Sequence, residues 1–494
     1  MAHDYPTWVL QHKVKGTEIR NIKGRYYLYQ VKSFWDKESK RSKKVTEAFL
    51  GRITELGLIK GKKTKKIISV PLSSSYCVQE YGIVRFLYDD NIDVLNVLKE
   101  HFGQFYESIF AAAINRFAHH LPLKNMEHYH TQSYSKDLFP NAQMNDKSLS
   151  QLLLTIGRQR DLATKVMQHF IQGRHFLLMD ATQVLSMSPT IESAQIGYNA
   201  SGGYDPHVNL MYLFSTDAQL PVFYRLVPGN IREVSAMALT IKESQVKNAV
   251  IVADKGFYSK DNIDQLDDEK LQYIIPLKRS SKLIDYTPME TEGRKGFSNF
   301  LRYNERIIWY SNTQINDNQR VILFLDEDLQ RNEQKDYLAR VEKNLNQKPE
   351  NQTETYTLKN YHLKAQQIGT IALLTNLDPK NTPQQIYEFY KCRAAVEILF
   401  DTFKNILFAD VTYTRSNEAL EGWLFINHIA LIFYYRLYKR LLQHNLLKNY
   451  SPKDILMHLN TIKRVKINQK WVIAEIPTKS KTILEKLEIP ITYQ

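Results

Sequence analysis

The chain has 494 residues, 43% hydrophobic and 24% charged, a soluble globular composition with ample core, which excludes a wholly disordered or fibrous protein. Its net charge of +14 and pI near 9.3 favour a polyanionic partner. Its two cysteines, Cys77 and Cys392, exclude a disulfide framework and a cysteine zinc site, and with no apolar signal-type run near the N-terminus the expected compartment is a reducing cytosol.

Residues 1–66 carry 17 Lys+Arg against 6 Asp+Glu, so most of the excess charge lies at the start. Residues 1–75 read as a basic β-rich segment: "RYYLYQVKSF" (Arg25–Phe34) and "KIISVPL" (Lys66–Leu72) have strand composition, and "DKESKRSKK" (Asp36–Lys44) reads as a charged turn. "KGKKTKK" (Lys60–Lys66) fits a solvated linker or a phosphate grip. Residues 76–173 show apolar spacings of three and four, the mark of helices, with Asp146 and Ser148 available as N-caps and Gly173 as a stop.

From 174 to 279 the pattern is β-β-β-α-β-α-β. "HFLLMDATQVLSM" opens it, and "AVIVADKGFYS" is a short apolar strand ending in Asp254. Residues 280–372 read as a β-rich insertion, with strands "RIIWYSN" and "RVILFLD" and a low-complexity span, "ARVEKNLNQKPENQTETYTLKN". Residues 373–445 return to the core. "WLFINHIALIFYY" (Trp423–Tyr435) is too short to span a bilayer and reads as a buried helix. Residues 446–494 form a helical tail, whose "SPKDILMHLNTI" offers Ser451 as N-cap, Pro452 at N1 and Asp454 at N3.

Three acids stand out. Asp180 interrupts an apolar strand, Asp254 ends one, and Glu397 lies on a helix. Each has a plain reading: a turn cap for Asp254, an Arg393–Glu397 surface pair for Glu397. Asp180 resists one, because an ionised carboxylate in a buried strand costs several kcal/mol unless it is paired or bound to metal. If the two strands are neighbours and the helix packs across them, three carboxylates meet. They cannot share a site ionised without cations, and two Mg²⁺ ions about 4 Å apart would both neutralise them and clamp an in-line displacement at a phosphodiester.

"YKCRAAVEILFDTFK" gathers Tyr390, Arg393, Glu397 and Lys404 within an edge of about 60° on a regular helix, beside an apolar face of Val396, Leu399, Phe400, Phe403 and Leu407. Such a helix buries the apolar face and aims the polar edge along a groove, where cations flanking an anion suit a phosphate backbone. A solvated amphipathic helix fits the same spacing, and Asp401 is a rival ligand.

The spacing Tyr-x2-Arg-x3-Glu-x6-Lys, together with "LLMDATQV" and "VADKGFYS", resembles one group of DDE transposases of bacterial insertion sequences. "PGNIREVSAM" resembles the family's segment between the two Asp strands, with Glu233 where Asp is expected. The resemblance covers about 175–445. It implies an α/β, RNase H-like core, a mixed sheet flanked by helices, interrupted by the insertion and preceded by DNA-binding segments: 1–75, and 76–173 as the DNA-end-binding domain. The tail at 446–494 would serve dimerisation or DNA contact. It further implies Asp180, Asp254 and Glu397 as the metal-binding catalytic triad, with Mg²⁺ replaceable by Mn²⁺. Tyr390, Arg393 and Lys404 would hold phosphates, and Trp309 and Tyr310 in the insertion would stack on an unpaired base. Such a protein binds terminal inverted repeats and target DNA as a homodimer on paired ends, in the bacterial cytoplasm at the nucleoid. A metal-dependent nuclease on the same fold and a non-catalytic transposon-derived regulator are the alternatives. His207 is weighed as a residue near the metal site, and His428 as a satisfied core histidine.

Overall fold

The computed structural model describes residues 5–36, 41–60, 77–186, 188–197, 205–231, 233–347, 353–467 and 469–490. The strand expected at Lys66–Leu72 lies outside them. The chain forms two compact units, Met1–Tyr76 and Cys77–Gln494.

In the first unit a short helix, α1 (Thr7–Leu10), accompanies an antiparallel meander of β1 (Thr17–Ile22), β2 (Arg25–Asp36), β3 (Arg41–Thr54) and β4 (Gly57–Lys60). Period-two alternation turns Ile19, Leu28 and Ile53 inward onto Val9, with Trp8 and Tyr26 at the margin. Arg41–Lys44, read from sequence as part of a charged turn, instead extend β3 opposite Ser33–Asp36.

The second unit opens with β5 (Cys77–Glu80) and a run of helices: α2 (Gly82–Asp90), α3 (Ile92–Phe102), α4 (Tyr106–His119), α5 (Met126–Gln132), α6 (Ser135–Leu138), α7 (Asp146–Arg158) and α8 (Arg160–Ile171). The cap of α7 is Asn145, whose side chain accepts the Ser148 N–H at 2.9 Å, rather than Asp146 or Ser148. Then come β6 (Phe176–Ser186), β7 (His207–Ser215), β8 (Leu220–Pro228), α9 (Glu233–Ser244), β9 (Val250–Ala253), α10 (Lys260–Asp268) and β10 (Gln272–Pro276). Their order in the sheet is β8-β7-β6-β9-β10. The first three are antiparallel, while β9 lies parallel to both β6 and β10.

The expected insertion does not form a module of its own. After a single-turn α11 (Thr287–Glu290), its strands β11 (Asn299–Tyr303), β12 (Arg306–Gln314) and β13 (Arg320–Asp326), together with β14 (Thr370–Thr375), continue the same sheet beyond β10 in antiparallel pairing. The span read as low complexity begins inside a 19-residue helix, α12 (Glu327–Leu345), followed by α13 (Leu358–Lys364). Buried Asp326 caps α12, accepting the N–H groups of Asp328 and Leu329, and pairs with Arg306 at 2.7 Å. A helix polar on nearly every side leaves no periodic signal.

After α14 (Pro383–Lys391), α15 (Ala394–Asp401) and the two-residue β15 (Val411–Thr412), the long α16 (Asn417–Gln443) runs through the core against α4, α7 and β8. Backbones touch where α16 crosses α7: a Cβ on Gly422 would lie 2.6 Å from Leu153 Cα, and one on Gly157 would lie 2.5 Å from Glu418 Cα. Among the described residues no helix is long and apolar enough to cross a membrane. The tail is not wholly helical. Between α17 (Pro452–Asn460), with its Ser451–Asp454 capping box, and α18 (Thr478–Lys486), a hairpin of β16 (Lys463–Ile467) and β17 (Lys470–Ile473) pairs with β5.

His428 on α16 is fully buried between the rings of Tyr212 and Tyr224, at 5.8 and 5.4 Å, and neither ring nitrogen finds a hydrogen-bond partner among the described residues. The expected satisfied histidine is thus an unsatisfied one. Burial, reinforced by Arg160, holds it neutral with a pKa of about 3. His119 and His130 are depressed to about 4, mainly by burial. A pKa lowered by folding adds stability that is complete above the unfolded histidine value of about 6.5 and is lost as pH falls through the folded value. Urea melts are expected to show unfolding free energy dropping steadily from about pH 7 to pH 4, and His428→Phe is expected to flatten the drop. An unchanged slope in that variant would remove His428 from the account.

Candidate active site

The first two acids are brought together by strand register. β6 and β9 run parallel, with Leu178 beside Val252 and Met179 beside Ala253. One more step places Asp180 next to Asp254, and neighbours on adjacent parallel strands point to the same face. Apolar residues bury both strands up to that step, so the carboxylates emerge where the apolar run of β9 ends. Asp180 is mostly buried, with a side chain 17% exposed, and Asp254 is half-exposed.

The third acid comes on the segment read as one helix, which is in fact broken. α14 ends at Lys391, Cys392 and Arg393 form a turn, α15 follows, and Thr402–Ile406 make a π-helical turn. No Gly or Pro lies between Gln384 and Ile406 to announce the break. The apolar face still packs down: Val396, Leu399, Phe403 and Leu407 are fully buried, and the Phe389 ring on α14 packs at a tilt on Phe176 of β6, centroids 4.3 Å apart.

Arg393, at the junction of α14 and α15, reaches all three acids. Its Nη1 donates to Asp254 Oδ1 at 3.0 Å and its Nη2 to Asp180 Oδ2 at 3.3 Å, while Glu397 Oε1 lies 3.9 Å from Nη2. Glu397 is the loosest member, 68% exposed. The Arg393 Nε is buried, with no partner among the described residues. Burial raises the Asp180 pKa despite its bond from the Ala181 N–H and the nearby guanidinium.

The donor set, three carboxylates turned toward one positive charge, has the chemistry a divalent ion requires. The spacing does not yet match: among the described residues no three acidic, histidine or cysteine side chains are gathered closely enough to hold a metal. A guanidinium stands between them.

The other expected residues divide. Tyr390 is half-buried beside Arg393, its phenol pKa raised by burial. Lys404 lies on the π turn, half-buried, with Asp410 as its charged neighbour, and burial lowers its pKa. Asp401, the rival ligand, is exposed and accepts from Asn405 at 2.6 Å. Trp309 and Tyr310 are successive residues of β12 and so face opposite sides of the sheet. The Trp309 indole packs on Phe300 at 5.6 Å and donates to Glu327 at 3.1 Å, while Tyr310 faces Phe324. β12 lies four strands from β9, roughly 19 Å at about 4.8 Å per strand, so neither residue joins the acids. His207 begins β7 opposite Leu185, about 17 Å along the strand from the level of Asp180, its Nδ1 3.0 Å from the Asp205 carbonyl. Glu233 opens α9.

Sequence reasoning missed Arg116. Only 3% exposed on α4, it lies 4.3 Å over the Trp423 ring and donates to Asn427 Oδ1, to the Leu121 carbonyl and to the Leu407 carbonyl that ends the π turn. Burial lowers its pKa to about 10. The signal was present: one arginine inside the apolar run "FAAAINRF".

A family model, the transposase DDE domain, matches residues 171–433. No curated protein matches the chain. Among solved structures, the cryo-EM structure of the piggyBac transposase synaptic complex with hairpin DNA is similar at 12% identity and a TM-score of 0.39, covering 78% of this chain and 82% of that one.

Proposed function

This chain belongs to the transposase DDE domain family, and on that premise we propose that it binds terminal inverted repeats, cleaves at the ends to expose 3′-OH groups and joins them to target DNA. The observation that carries the reading is the convergence of Asp180, Asp254 and Glu397, from two strands and a helix far apart in sequence, on one guanidinium. The order β8-β7-β6-β9-β10, three antiparallel strands followed by two parallel ones, supports the reading of an RNase H-like core.

DDE transposases generally depend on divalent metal. Asp180, Asp254 and Glu397 would hold two Mg²⁺ ions, or Mn²⁺ in their place, which when bound polarise the scissile phosphate and activate the attacking water or 3′-OH. The chain's own side chains do the rest. Tyr390, Arg393 and Lys404 contact backbone phosphates and set the strand against the acids, and Trp309 stacks on an unpaired base from the insertion. The protein would work as a homodimer on paired ends in the bacterial cytoplasm, at the nucleoid.

Precut DNA copied from the sequence flanking the coding region, incubated with a supercoiled plasmid and Mn²⁺, is expected to yield joined products carrying the flank. Cleavage with no joined product would leave a nuclease in its place.

A further inference from the structure

We infer that Arg393 gates the site: in the DNA-free protein its guanidinium ties the three carboxylates together and keeps divalent ions out, and a DNA phosphate draws it away so that ions enter only when DNA is bound. The inference rests on the proposed function above.

Three observations carry it. The guanidinium lies within hydrogen-bond distance of Asp254 and Asp180 and within 3.9 Å of Glu397, in the ground between them. Among the described residues no three acids, histidines or cysteines are gathered as a metal requires, and a cation would compete with the guanidinium for the carboxylate oxygens it already occupies. The arginine also keeps one unused donor, its buried Nε, which has no acceptor among the described residues. A phosphate offers several anionic oxygens in the forked geometry that a guanidinium fits.

Arg393 sits in the turn between α14 and α15, so swinging its side chain outward breaks no helix; it does break the bonds to Asp254 and Asp180, which new bonds to phosphate replace on the arginine and a metal ion replaces on the acids. The pocket it leaves stays strongly negative, because three carboxylates outnumber one guanidinium even before it goes. Bound DNA and bound metal therefore support each other, and by linkage each raises the affinity for the other by the same factor.

Mn²⁺ binding to the full chain, followed by electron paramagnetic resonance, tests this without turnover. Duplex DNA copied from the flanking sequence serves as the phosphate source, and uptake by the DNA itself is subtracted using Asp180→Asn. In the wild type, DNA is expected to tighten Mn²⁺ binding about tenfold or more. Arg393→Gln is expected to bind Mn²⁺ about tenfold tighter without DNA, and DNA is then expected to add little. Equal affinities in all four conditions overturn the gate. If Arg393→Gln does not fold by circular dichroism, the wild-type pair with and without DNA decides alone. Adding Asp180→Asn to Arg393→Gln separates the two readings. If Mn²⁺ binding survives undiminished, the acids are not the metal ligands and the proposed function falls with the gate. If it is lost while Arg393 and DNA have no effect, only the gate falls.

Discussion

Asp180→Asn should abolish DNA cleavage while leaving the protein as stable as the wild type or more so. The two halves have separate causes. A metal clamp on a phosphodiester supplies several kcal/mol of transition-state stabilisation, and each 1.36 kcal/mol is tenfold, so if Asp180 is one of the carboxylates that would hold the metal, its loss should cost a factor on the order of 10³ or more. Stability moves the other way. Burial raises the Asp180 pKa even with Arg393 beside it, so folding works against the ionised form. An amide of the same shape removes that penalty, although Arg393 loses one partner. A nicking assay on a plasmid carrying the flanking DNA, paired with thermal melts, reads both effects. Wild-type cleavage by the variant would remove Asp180 from the chemistry. Loss of cleavage with a much lower Tm would mean that the residue serves the fold.

Gly422→Ala should be among the most damaging single methyl additions in the chain. The new carbon would overlap the Leu153 backbone, where a flexible side chain would have had room to move aside. Overpacking of this kind costs about 1–3 kcal/mol and sometimes more, and here the remedy is to push α16 off α7. Gly157→Ala meets the Glu418 backbone from the other side of the same crossing. Once one methyl has forced the helices apart, the second meets less resistance, so the double variant should lose less stability than the two single losses combined. Chemical denaturation measures all three. Full additivity would show that the two glycines do not share one crossing.

How much of this was legible in the residues varies by element. Asp180 and Asp254 could be picked out because a carboxylate inside or ending an apolar run needs a reason. Their adjacency depends on which strands pair, and pairing is a tertiary choice that neither "LLMD" nor "IVAD" contains. The apolar face of the Glu397 helix was readable from its spacing. The break at Cys392–Arg393 was not, because no Gly or Pro marks it and the burial of Arg393 toward the strands is again tertiary. Arg393, at that break, lies at the centre of the acids. α12 escaped because its charged residues pair with one another, as Asp336 does with Arg340, rather than leaving an apolar stripe. Asn145 was passed over because Asn145, Asp146 and Ser148 all suit a cap, and only backbone direction chooses among them.

The antiparallel pairing of β14 along β10 has a mechanical corollary. The acid-bearing strands and β12 belong to one hydrogen-bonded sheet, so anything held at β12 would lie at a fixed reach from Asp180 and Asp254. Such a ruler would measure a constant span of nucleotides between grip and cut, and lengthening a loop elsewhere in the chain would leave that span unchanged.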